Sequence, residues 1–85
     1  MTETAEDNVA RLVGRNIKIA RQLAGMSGPQ LAKLCGVTPS HVSHWEAGRH
    51  EPRRHNRERI ADVLDVSIGW LYTDHTTDDE PAAAA

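Results

Sequence analysis

The run from Ser27 to Gly48, SGPQLAKLCGVTPSHVSHWEAG, leaves the chain little local choice. Ser27 offers a hydroxyl to cap a helix start, and Pro29 fits the first turn, where amides have no intrahelical partner. Leu31, Ala32 and Leu34 give that segment a short apolar face, and Cys35-Gly36 ends it, glycine being favoured just past a helix end. Only Val37 separates this stop from a second start, Thr38-Pro39, a capping hydroxyl followed by proline at the first helical position. Val42 and Trp45 stand three apart and can face inward together, whereas Ser40, Ser43 and His44 share another face. Gly48 closes the segment. The reading is two short helices held at a tight turn that contains glycine.

That arrangement is the helix-turn-helix signature. The spacing S-x-x-Q-L-A-x-x-x-G-V-T-x-x-x-V-S-x-W-E-x-G-x-x-x-P, from Ser27 to Pro52, resembles the phage repressor and Cro (XRE-like) family of DNA-binding proteins, with the likeness running from about Val9 to Tyr72. The resemblance implies a compact, all-α, five-helix domain of the lambda-repressor-like fold. It also implies that the second helix of the pair enters the major groove with its leading residues while the first crosses the DNA backbone.

Eighty-five residues allow one domain with a small core. A net charge of −2 seen whole argues against a polyanionic partner, but the charge is unevenly spread. Residues 8–72 hold all ten Lys and Arg against five acids, whereas residues 1–7 and 73–85 are acidic. A phosphate meets the local field of the basic segment and not the average, so the objection fails. The acidic ends read either as solubilising tails or as competitors with DNA for the basic face. No apolar run is long enough to span a bilayer, and the N-terminus lacks the basic start of a secretory signal, so a cytoplasmic address is expected. Cys35 is the only cysteine, and within a short helix it reads as a small buried hydrophobe.

Around the central pair, residues 1–7 show no periodicity and are expected to be disordered, as is the polar, acidic and alanine tail of residues 73–85. Asn8 can cap a first helix running to about Ala24, with Gly25 as its stop. Val9, Val13, Ile17, Ala20 and Ala24 form one apolar stripe on it. Leu12, Ile19 and Leu23 form a second, which is either a widened core face or a surface for another chain. A fourth helix from about His55 to Leu64 turns Ile60, Ala61, Val63 and Leu64 to the core. A closing helix capped by Ser67 carries Trp70, either in the core or at a twofold contact. The resemblance further implies a mostly buried ion pair between Arg21 and Glu46. The family tends to be more apolar where this chain has Arg54 and Arg57, which leaves the first turn of the fourth helix open.

For contact with duplex DNA, the resemblance assigns the base edges to Ser40, Ser43 and His44, with Pro39 supplying an apolar contact. The family's glutamine gives way to Gly28 here, so phosphate contact at the first helix of the pair falls to backbone amides near Ser27 and Gly28, with Gln30 a partial substitute. Thr38, His41, Arg49, His50, Arg53 and Arg54 are the remaining expected backbone contacts. Phosphates favour protonated imidazole, so His44 in the groove predicts tighter binding as pH falls. A single small domain covers little DNA, and the family meets this by forming homodimers on two half-sites about one helical turn apart.

Two other readings compete. The same fold serves as the antitoxin half of toxin–antitoxin pairs, and Leu12, Ile19 and Leu23 are the surface a protein partner would use. A metal centre would need three or four converging ligands; His41, His44, His50 and His55 are close in sequence, but Cys35 lies on another face. There is no HExxH arrangement and no paired-carboxylate cleft, so neither metal, cofactor nor catalysis is expected.

Overall fold

The computed structural model describes residues 5–75. Five helices follow in order: α1 (Ala5–Leu23), α2 (Gly28–Cys35), α3 (Pro39–Glu46), α4 (Arg54–Leu64) and α5 (Ile68–Leu71). No strand occurs among the described residues, and the domain is all-α. Helix α1 is the spine: α3, α4 and α5 pack on it, while α2 bridges α3 and α4.

Within α1, Val13, Ile17 and Ala20 are buried, as their spacing predicts, and Ala10 joins them. Three expectations change. The helix begins at Ala5, so Asn8 lies inside it instead of capping it, and residues 5–7 are helical although they lack an apolar stripe of their own. Ala24 falls beyond the helix end and is exposed. Leu12 and Ile19 are half-buried, so of the second stripe only Leu23 stands clear, at 81% exposure. Residues 1–4 of the expected acidic tail lie outside the described residues.

Three contacts fix α1 to the elements that matter for function. Gly14 receives the backbone of α3 directly: a Cβ placed there would lie 2.0 Å from the Trp45 carbonyl oxygen. Asn16, buried in the α1–α5 contact, donates from Nδ2 to the carbonyls of Leu71 at 2.9 Å and Thr73 at 2.8 Å, with a longer approach to Trp70. It thereby satisfies carbonyls that the end of a helix leaves open. Arg21 makes a two-pronged contact with Glu46 at the end of α3, Nε to Oε2 at 2.6 Å and Nη2 to Oε1 at 3.0 Å, and also donates to the Met26 carbonyl at 2.8 Å. Both side chains of the pair are largely buried, and the bond to Glu46 raises the arginine pKa above its ordinary value.

The core closes beneath the helix pair. Leu31, Ala32 and Cys35 from α2 meet Val42 and Trp45 from α3 and Ile60, Ala61 and Leu64 from α4. Burial pushes the Cys35 thiol up, a shift that nearby Arg59 only partly opposes, as suits a packing residue. Helix α4 starts one residue earlier than expected, at Arg54, with no side-chain cap at Arg53. Arg57 reaches the Pro52 carbonyl and lies over the Tyr72 ring. Ser67 caps α5, accepting from the Trp70 amide at 3.0 Å. Residues 73–75, expected to open a disordered tail, fold back instead: Thr73 Oγ1 donates to the Gly69 carbonyl, and the His75 ring lies 4.2 Å from that of Trp70. Residues 76–85 of that tail lie outside the described residues.

Candidate nucleic-acid interface

Helix α3 divides its residues cleanly. Val42 and Trp45 are almost wholly buried, and Pro39, Ser40, Ser43 and His44 are exposed. The inward pair, the Gly14 contact and the Arg21–Glu46 pair hold the helix at three points, so its outward face is presented on a rigid base. The expected cap differs. Thr38 has the extended backbone of an N-cap, but its hydroxyl makes no capping bond and lies 2.8 Å from His41 Nδ1. His41 is thus oriented by its own helix start.

The glycine between the two helices does what the sequence requires of it: Gly36 sits at φ +73°, a left-handed conformation that lets α2 stop and α3 leave at a sharp angle. At the head of α2, Ser27 Oγ accepts from the Gln30 amide at 3.2 Å, and Gln30 Oε1 accepts from the Ser27 amide at 2.7 Å. This reciprocal cap consumes amides that were expected to face a phosphate. Pro29 has no N–H, so Gly28 is the amide of that turn outside the cap, and Gln30 keeps only Nε2 for an external acceptor.

The segment after α3 carries Arg49, His50 and Arg53, all exposed, beside Arg54, which leans toward Glu58 at 3.5 Å in an exposed pair of little energetic weight. The His50 ring meets His44 edge-on at 5.9 Å. Glu51, a carboxylate of the same loop, accepts from the Tyr72 hydroxyl at 2.8 Å and lies 4.0 Å from Arg57. Burial, then that bond, holds the Tyr72 phenol above its ordinary range. Base-facing and phosphate-facing candidates therefore lie on one side of the molecule, α3 and the loop that follows it. Among the described residues, no group of three His, Cys, Asp or Glu side chains converges on a metal position.

Residues 17–71 match a family model described as helix-turn-helix. The chain belongs to the helix-turn-helix family. The matched residues include the segment from Ser27 to Pro52 that carries the repressor-type resemblance, and the family is one of DNA-binding transcriptional regulators. Among curated proteins, this helix-turn-helix chain is 38% identical over 65 residues to an uncharacterized HTH-type transcriptional regulator of Haemophilus influenzae, covering 69% of this chain and 27% of that protein. A second regulator, from Sinorhizobium medicae, is 26% identical over 62 residues, 73% of this chain and 45% of its own length. The chain thus spans less than half of either curated relative. Among solved structures, the restriction-modification controller protein C.AhdI of Aeromonas hydrophila superposes with a TM-score of 0.70 at 27% identity, covering 74% of this chain and 96% of that one. The hypothetical transcription factor NHTF from Neisseria reaches 0.77 over 94% and 93% of the two chains, and at 23% identity it speaks for the fold alone. That fold is lambda-repressor-like. A hydroxypropylphosphonic acid epoxidase from S. wedmorenis also superposes, at 35% identity and a TM-score of 0.71 over 76% of this chain, but over 35% of its own length. The likeness covers the helix-turn-helix part of that larger enzyme and brings no catalysis with it.

Sequence does not reveal the roles of Gly14, Asn16 and His55. Gly14 and Asn16 lie within α1, where neither interrupts the apolar period. His55, which in sequence suggests only a metal ligand, comes to the same hollow as His41, His50 and Arg53.

Proposed function

We propose that the chain is a sequence-specific regulator that lays α3 in the major groove of duplex DNA and represses transcription by occupying its site, as a Cro-like or immunity repressor does. The observation that carries this is the division of α3: Pro39, Ser40, Ser43 and His44 face outward while Val42 and Trp45 lock the opposite side. Base readout belongs to those four residues. Phosphate contact belongs to Thr38, His41, Arg49, His50, Arg53 and Arg54, with Ser27, Gly28 and Gln30 at the head of α2. No cofactor enters the reading, and a cytoplasmic setting accords with it; among the described residues no helix is long and apolar enough to cross a membrane.

The test separates the two groups. Arg53→Ala is expected to weaken binding to every duplex and to reduce the slope of log affinity against log salt by about one. Ser40→Ala and His44→Ala should instead change which bases are preferred, with about 1–3 kcal/mol at the affected position. Selection from a random duplex pool reads both, and an unaltered preference in the α3 variants would remove that helix from the groove.

A homodimer on a palindromic operator completes the reading. Ala20, Leu23, Ala24, Leu64, Val66 and Trp70 line an apolar hollow to which neither α2 nor α3 contributes, and Leu23 is its large exposed member. An apolar patch with an exposed leucine suits a twofold contact, in which the same patch of the other copy covers it. Leu23→Glu is expected to turn a dimer into a monomer in sedimentation while leaving the thermal unfolding midpoint in place. A wild-type chain that is monomeric alone but captures a small protein partner through Leu23 would favour the antitoxin reading of the same fold. Leu12 and Ile19, half-buried, contribute less to either contact.

A further inference from the structure

A polar hollow of about 570 Å³ opens between α3, the loop after it and the start of α4. His41, His50, Arg53 and His55 line it, together with Trp45, Glu51 and Asn56. His41, His50, Arg53 and His55 are all exposed. We infer that this hollow is a proton-linked phosphate site: a backbone phosphodiester of duplex DNA enters it, His41, His50 and His55 take up protons as it does so, and pH thereby sets affinity.

The inference rests on the DNA-binding reading and adds its regulation. Imidazole is the side chain that ordinarily titrates near neutrality. A phosphate held among three imidazoles and a guanidinium favours the protonated form of each imidazole. Outside the lining, His44 stands edge-on to His50 from α3, and Arg49 is exposed on the loop. One acid, Glu51, lines the hollow with the three imidazoles and Arg53. Glu51 is held by Tyr72 and flanked by Arg57, and Glu58 faces Arg54. His41 is already oriented toward such a ligand. With Thr38 Oγ1 on its Nδ1, its Nε2 is the ring nitrogen left to donate to an external acceptor. Because the bound form holds more protons than the free form, affinity must rise as pH falls. Each proton taken up contributes at most about a tenfold change in Kd per pH unit.

The experiment follows binding of the full chain to a labelled mixed-sequence duplex by fluorescence anisotropy, at fixed low ionic strength in a phosphate-free buffer. Between about pH 8 and pH 6, Kd is expected to fall at least about tenfold. In the variant carrying His41→Gln, His50→Gln and His55→Gln, that gain should shrink to about threefold or less, whereas His75→Gln, at Trp70 and outside the hollow, should keep all of it. A triple variant that retains the full gain, or a His75→Gln chain that loses it, overturns the inference. So does a wild-type chain that binds equally well at both pH values, a result that leaves the DNA-binding reading standing. No binding at either pH overturns both.

Discussion

Gly14→Ala is expected to lower the stability of the domain by about 2 kcal/mol or more and to weaken DNA binding with it. Two effects oppose each other at this position. Alanine inside a helix is favoured over glycine by about 1 kcal/mol, so in a free helix the substitution would stabilise. Here the added carbon would stand 2.0 Å from the Trp45 carbonyl oxygen, with the backbone of Glu46 also within 3.2 Å. Backbone cannot rotate aside as a side chain can, so α3 must move away from α1. For a domain of this size, each kcal/mol corresponds to about 4–8 °C in the unfolding midpoint. Thermal unfolding followed by circular dichroism should therefore show a fall of about 10 °C. Gly28→Ala is the control, because nothing lies within 4 Å of the carbon it adds. A Gly14→Ala chain as stable as the wild type would mean that α1 and α3 do not meet as described.

The second large effect concerns Arg21 and Glu46. Glu46→Ala leaves a guanidinium that is only 14% exposed with the Met26 carbonyl as its remaining partner. Breaking such a pair from one side costs about 3–5 kcal/mol, comparable to the whole stability of a small domain at roughly 0.05–0.15 kcal/mol per residue. Urea unfolding should show Glu46→Ala and Arg21→Ala each close to or past the point of unfolding. Joint replacement by Arg21→Met and Glu46→Leu removes both charges and should restore much of the loss. A double variant that loses the sum of two single costs would show that the two groups act independently.

How much of this is legible in the residues differs from place to place. The α2–α3 pair is legible because its punctuation is local: Ser27, Pro29, Gly36, Thr38 and Pro39 each act within a turn of their own position. The inward set of α3, Val42 and Trp45, follows from helical period alone. The Arg21–Glu46 pair comes only through the family resemblance, since no local rule joins side chains 25 positions apart. Gly14 leaves no signal, because a glycine inside a helical pattern reads as a weak point until the element crossing it is known. Asn16 is similar: its partners lie 54 to 57 residues along the chain. Thr38 shows how the right residue can make the wrong bond, its hydroxyl having a competing acceptor in the His41 ring. The polar hollow depends on how α4 enters, which the charged first turn of that helix does not reveal.

The most direct measurement is amide chemical-shift mapping of the full chain on addition of a duplex at low ionic strength. The largest shifts should fall on residues 40–44 of α3, on residues 49–53 of the following loop and on Gly28. Shifts concentrated around Leu23 and Trp70 with α3 unmoved, or no shifts at all, would contradict the placement of α3 against the bases.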